Sequence, residues 1–324
     1  MGLVEGFDPS GIIKRALKNG GDFGELYLED THSTSIICEE DRIEKVLSGR
    51  ERGCGVRVLS NLKTYYAFTN DLTEKGLLGV ADVVAAAVKG GAEVGEINLT
   101  DKRVAEGFPI KRSPFDVDLS QKVAYVNRAN AAARGYDDRV KQVKVVYGDS
   151  LRDTAIINSL GEWVEEEKTS TLFLCQVVTQ EGEVIQTGYE PVGGLLGLEI
   201  LDDNPPEMIA ELAAKRGVMM LSARKAPGGR MPVVLSSEAG GTMIHEAVGH
   251  GLEADLACEG LSVYAGKLGE QVASTTITVI DDGTIANKRG SGFFDSEGTP
   301  NAKNVLIEDG ILKKYMQSRL TAMK

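Results

Sequence analysis

Residues Val140 to Tyr189 read VKQVKVVYGDSLRDTAIINSLGEWVEEEKTSTLFLCQVVTQEGEVIQTGY. Within this stretch the runs VKVVYG, DTAIIN, EWVEEE, TLFLCQVVT and EVIQTGY are rich in β-branched residues and alternate apolar with polar positions. That is the period of a strand with one buried face. Gly148, Gly161 and Gly182 fall between or beside the runs, so an antiparallel meander with turns at these glycines is expected. The acidic triplet Glu165-Glu166-Glu167 reads as a solvated strand end. Working back toward the N-terminus, ELYLED, TSIICEE, CGVRVL and KTYYAFT are further strand candidates. Helices are expected at Asp8–Gly20 with Asp8 or Ser10 as cap, at Glu74–Lys89 ending at Gly90-Gly91, and at Ser120–Arg134. Working forward, Asn204-Pro205-Pro206 opens a helix over Glu207–Arg224. Pro227-Gly228-Gly229 is then the clearest linker. Beyond it come a strand MPVVLSS, a helix TMIHEAVGHGLEADL, and two hairpins turned at Asp282-Gly283 and Asp309-Gly310. The fold class expected is α+β. A mixed helix/strand domain over residues 1–226 precedes a mainly antiparallel β domain over residues 227–324 that carries the TMIHEAVGHGLEADL helix.

The composition narrows the function. The 324 residues suggest about two domains. Lys plus Arg number 36 against 48 for Asp plus Glu, a formal net charge of −12. With no basic run to offset it, such a chain repels a phosphate backbone, so no nucleic-acid partner is expected. The longest apolar stretch, Leu77–Val88, is interrupted by Asp82 and far too short to span a membrane. The first twenty residues lack a signal-type apolar core, so a cytoplasmic location is expected. The last residues, QSRLTAMK, follow a strand without a cap, which reads as a chain lacking a C-terminal segment. Cys38, Cys54 and Cys175 sit in apolar or alternating runs and read as buried structural thiols.

Only three histidines occur, and two of them fall in HEAVGH, residues 245–250. His32, in EDTHSTS, reads as a solvated side chain. Zinc hydrolysis needs two neutral imidazoles on one ion and a carboxylate to take a proton from water. The common helical solution spaces the histidines four apart, whereas His245 and His250 are five apart. On a regular helix the two rings would diverge by about 140°. A single π-type turn, closing i to i+5, returns them to one face, and Gly249 and Gly251 lack the β-carbon that would resist the distortion. Met243, Ile244, Ala247 and Val248 are expected to bury the helix. Glu253, three residues past His250, and Cys258 are both open as third ligands. The competing reading is a pair of core or surface histidines that bind nothing.

Met231 to Leu261, MPVVLSSEAGGTMIHEAVGHGLEADLACEGL, resembles the signature region of the TldD/PmbA metallopeptidases. The resemblance continues through SVYAGKLGEQVAS, VIDDGT, GFFDSEGTP and NVLIEDGILKKYMQSRL, and upstream through RIEKVLSGRERGCGVRV, YYAFTNDLT and NSLGEW. It thus covers nearly the whole chain. With HExxxH intact, the sequence is similar to the TldD-type subunit rather than to its motif-lacking PmbA-type partner. The resemblance implies a zinc-dependent peptidase acting on unfolded peptides, as a homo-oligomer or with a PmbA-like subunit. It implies His245 and His250 as zinc ligands and Glu246 as the base that activates a zinc-bound water. It also implies a third ligand from a cysteine in a glycine-rich stretch near the C-terminus, which disfavours Glu253 and Cys258. The residues read here end, at Lys324, before any such stretch. The segment Arg289–Pro300 is a candidate edge on which a peptide could add as a strand. The alternative function is a non-catalytic assembly or peptide-binding subunit of a TldD/PmbA-like complex.

Overall fold

The computed structural model describes residues 2–90 and 95–324. Seven strands form one large sheet: β1 (Phe23–Glu39), β2 (Arg42–Ser60), β3 (Lys63–Thr69), β4 (Asp101–Ala105), β5 (Val140–Asn158), β6 (Glu162–Glu181) and β7 (Val184–Gly194). The strand order is β3-β2-β1-β5-β6-β4, and β7 pairs with β6 as well. Every pairing is antiparallel except that of β4 with β6. The chain therefore has the expected α+β class with mainly antiparallel sheets.

Several expected short strands are single long ones. ELYLED and TSIICEE fuse into β1, and the five runs of the meander become β5, β6 and β7. Along one face of β1 the side chains run Leu26, Leu28, Asp30, His32, Thr34, Ile36, Cys38. The polar stretch interrupts the apolar pattern, yet every one of these residues stays paired to β2 and β5. Backbone pairing is indifferent to side-chain polarity, so a break in the pattern is not a break in the ladder. Gly148, expected at a turn, lies inside β5 opposite Ser35 and Leu172. Gly161 and Gly182 do turn the chain, with φ of 90° and 61°.

Helices cover this face of the sheet in two patches. At one end α1 (Pro9–Ala16) and α2 (Glu74–Ala87) bury Ile12, Ile13 and Leu77 against Leu26, Leu28, Val56 and Ile157. Asp8 caps α1, its carboxylate accepting from the Ser10 and Gly11 amides. The expected stop of α2 includes Gly91, which lies outside the described residues. At the other end α3 (Leu119–Tyr136), the short α4 (Ile200–Asp203) and α5 (Pro206–Leu221) bury Val126, Ala129, Leu201 and Ile209 against Ile36, Val145, Tyr147 and Phe173. Cys38, Cys54 and Cys175 are buried in these cores and Cys258 is exposed. Between the patches, Asp30 is ion-paired to Arg50, and half-exposed His32 lies 3.7 Å from Asp30.

From Ala223 to Ser236 the chain has no regular structure, and the strand expected at Met231–Ser237 does not form. No neighbouring strand meets it among the described residues, and Val234 is fully exposed. A smaller sheet, β8 (Val279–Asp282), β9 (Lys303–Glu308) and β10 (Ile311–Leu312), follows in the order β10-β9-β8. Asp309-Gly310 closes the β9–β10 hairpin as expected, with φ of 48° and 82°. Asp282-Gly283 does not close one. Asp282 Oδ1 accepts from the Thr284 amide at 2.9 Å, an Asx-type turn that leads the chain away, and β8 pairs with the distant β9 instead.

The smaller sheet's loops dock on the opposite face of the large one. Glu166 is buried in mid-strand there, correcting its reading as a solvated end. It accepts from the Phe293 amide at 2.7 Å and pairs with Lys168 at 3.0 Å, which offsets the cost of burying its charge. Arg57 bridges Glu25 and Glu297, each at 2.6 Å, and Arg319 meets Glu162 at 2.6 Å. The segment Arg289–Pro300 is consequently no free strand edge. Its backbone is turned inward, with Gly292 donating to Gly283, Asp295 to Thr299, and Phe293 accepting from Asn301.

Candidate metal centre

The HEAVGH segment is built as three different helical turns in succession. α6 (Ser237–Ile244) runs into a π-helical turn over His245–Gly249, then a 3-10 turn over His250–Leu252, then α7 (Ala254–Cys258). The His250 amide donates to the His245 carbonyl, the i to i+5 closure that the five-residue spacing requires. The two imidazoles lie edge to face with centroids 4.5 Å apart. One donor atom from each of His245, Glu246 and His250 falls within 4.8 Å of the others.

This donor set suits a divalent transition ion. Donors on one tetrahedral zinc at about 2.0–2.1 Å lie about 3.4 Å apart, a spacing comparable to that of this cluster. Two imidazoles are borderline-soft donors that zinc favours over calcium or magnesium. All three side chains are exposed, leaving access for a metal and a substrate. Glu246 Oε2 lies 3.9 Å from His250 Nε2.

The glycines act differently from expectation. Gly249 has φ −53° and ψ −64°, ordinary right-handed helical values, and a β-carbon there would meet His245 Nδ1 at a comfortable 3.8 Å. Gly251 is the constrained one, since a β-carbon would come within 2.7 Å of the Tyr264 ring. Tyr264 in turn donates its hydroxyl to the Ala247 carbonyl inside the π turn, at 3.3 Å, and its own carbonyl accepts from Tyr315. This brace was not visible in the sequence, because Tyr264 stands in an unpatterned run. The expected burial of the helix also fails. Met243 and Ile244 are each 45% exposed, Ala247 is exposed and Val248 half-buried. Val248 packs on the cluster around Leu252, whereas Met243, Ile244 and Ala247 join no core cluster among the described residues.

Beyond the turn, Leu252 is fully buried with Leu306, Ile307 and Leu312 and anchors the centre to the smaller sheet. Glu253 Oε1 lies 3.0 Å from His250 Nδ1, the ring nitrogen that Glu246 does not face. Exposed Cys258, on α7, is not part of the donor cluster.

His245, Glu246 and His250 thus form an exposed cluster of two histidines and one glutamate on a single helical segment. Three family models match in order: PmbA/TldA metallopeptidase domain 1 at residues 24–90, the central domain at 112–221, and the C-terminal domain at 228–324. The chain belongs to the PmbA/TldD metallopeptidase family. It is 33% identical over 319 residues to a metalloprotease of Methanothermobacter thermautotrophicus, covering 98% of this chain and 69% of that protein. It is 34% identical over 312 residues to the metalloprotease TldD homolog of Haemophilus influenzae, covering 93% of this chain and 64% of that protein. It also matches the fold of the solved structure of TldE from Thermococcus kodakarensis, with TM-score 0.69 at 17% identity, over 96% of this chain and 70% of the other. The chain spans about two thirds of the length of these curated relatives. No helix among the described residues is long and apolar enough to cross a membrane.

Proposed function

We propose that this chain is a zinc-dependent peptidase that hydrolyses unfolded or extended peptides. His245 and His250 hold the ion, and Glu246 is the general base. The observation that carries this reading is the π turn, which brings two imidazoles five residues apart to 4.5 Å with a carboxylate beside them. A zinc ion held by His245 and His250 would supply Lewis acidity at the site. Glu246 takes the proton from the attacking water and returns it to the departing amine, so one carboxylate serves both halves of the reaction. The three side chains are exposed, so an extended peptide segment can reach them. The division at residues 226/227, a cytoplasmic location and assembly with itself or with a PmbA-like subunit belong to the same proposal.

Glu246→Gln tests it. Zinc content should stay unchanged while peptide turnover falls by about two to four orders of magnitude. Unchanged turnover removes Glu246 from the chemistry. One observation favours the second reading, a non-catalytic assembly or peptide-binding subunit: the apolar residues Met243 and Ile244, immediately before His245, are exposed. A chain that binds no zinc and cleaves no peptide, but associates through this face, would fit that reading instead.

A further inference from the structure

We infer that Glu253 is a positioning residue for His250: its carboxylate accepts the Nδ1–H and leaves Nε2 bare toward His245 and Glu246. The inference rests on the metal reading above and deepens it. A neutral imidazole carries one proton, and the hydrogen bond made by one ring nitrogen decides which tautomer the other presents. The two nitrogens of His250 face opposite partners. Nδ1 lies 3.0 Å from Glu253 Oε1, whereas Nε2 is turned to Glu246 Oε2 at 3.9 Å. An acid on the Nδ1 side sits across the ring from an ion on Nε2, so Glu253 is placed to orient a ligand rather than to be one. A carboxylate in this position fixes ring rotation and makes the ligating nitrogen more basic.

The backbone around Glu253 is fixed for this purpose. Met316 donates to the Leu252 carbonyl at 2.8 Å and Ala254 donates to the Met316 carbonyl at 2.9 Å, so both neighbours of Glu253 are tied to one strand-like segment. Glu253 itself donates its amide to the His250 carbonyl at 3.3 Å. It occupies the N-cap of α7 in an extended conformation. Its side chain makes no cap bond and reaches back to the imidazole instead. A mobile surface pair at i, i+3 would contribute little. This pair differs, because the main chain on both sides of the carboxylate is hydrogen-bonded.

The test reads the proton and the metal separately. In metal-free, mildly alkaline samples, long-range proton–nitrogen NMR correlation of the His250 ring is expected to show the proton on Nδ1. In Glu253→Ala that preference should be lost, and in Glu253→Gln, whose amide oxygen still accepts, it should be kept. Zinc affinity, measured by competition with a chromophoric chelator, is expected to fall about 10- to 100-fold in Glu253→Ala and to be largely rescued in Glu253→Gln. A His250 tautomer unchanged by Glu253→Ala, or zinc affinity equal to wild type in that variant, overturns the inference. A wild-type chain with the expected tautomer but no zinc binding overturns the metal reading while supporting the Glu253–His250 pairing.

Discussion

The large sheet and the HEAVGH segment use apolar residues in opposite ways. Under α3 and α5, Tyr147, Phe173 and Cys175 are fully buried, and each apolar position meets another from the same chain. In the chain leading into HEAVGH, Val233 and Val234 are 70% and 100% exposed, and Ile244 is 45% exposed. The comparison teaches that a precise side-chain cluster can be held by local bracing without a sealed core around it. The π turn is braced locally, by Tyr264 on the Ala247 carbonyl and by buried Leu252 beneath it.

The largest effect that would break this contrast lies in the sheet. Phe173→Ala is expected to lower the free energy of unfolding by about 3–5 kcal/mol, because the site cannot collapse around the lost ring. Denaturant midpoints at constant slope measure this. Next, Gly251→Ala is expected to cost about 1–3 kcal/mol by forcing Tyr264 off its seat. Gly249→Ala, with room for a methyl group, should leave both stability and zinc affinity near wild type. Equal losses from the two glycine changes would contradict the brace.

A smaller effect concerns Glu199. Burial pushes its pKa up, but the amides of Lys111, Arg112 and Gly197 donate to its carboxylate and outweigh burial, holding it below the usual carboxylate range. A pKa depressed by folding adds stability above the ordinary carboxylate range, and that stability is lost as pH falls through the depressed value. Acid titration of stability in Glu199→Gln should therefore be shallower than in wild type, and an identical slope would contradict it. Cysteine labelling sharpens the contrast further. Burial pushes the Cys54 and Cys175 thiols up to about 12, whereas Cys258 is exposed. Alkylation of the native chain near neutral pH should mark Cys258 first, and the buried pair only after unfolding. Smallest of all, Val234→Ala should stay within about 0.5 kcal/mol of wild type.

The sequence made the class of fold, the helices and the tight turns legible, because these are local signals. Asp8 as a cap, Gly161 and Gly182 as turns, and Asp309-Gly310 as a hairpin all act through their immediate neighbours. What it hid is long-range. Gly148 looked like a turn because nothing local says that β1 and β6 flank it. Glu166 looked solvated because its partner, the Phe293 amide, lies 127 residues away. The π turn was legible because a five-residue spacing between ligands allows few other solutions, whereas Met243 and Ile244 looked buried from composition alone. The second role of Glu253 was concealed by the ring it serves, since proximity in sequence suits a ligand and an orienting group equally well.

X-ray absorption at the zinc edge of the metal-loaded chain examines the π turn's purpose most directly. The expected spectrum carries scattering from two imidazoles on one ion, reduced to a single imidazole in both His245→Ala and His250→Ala. A wild-type spectrum with fewer than two imidazoles, or one unchanged by either substitution, would show that the two rings do not grip the same ion.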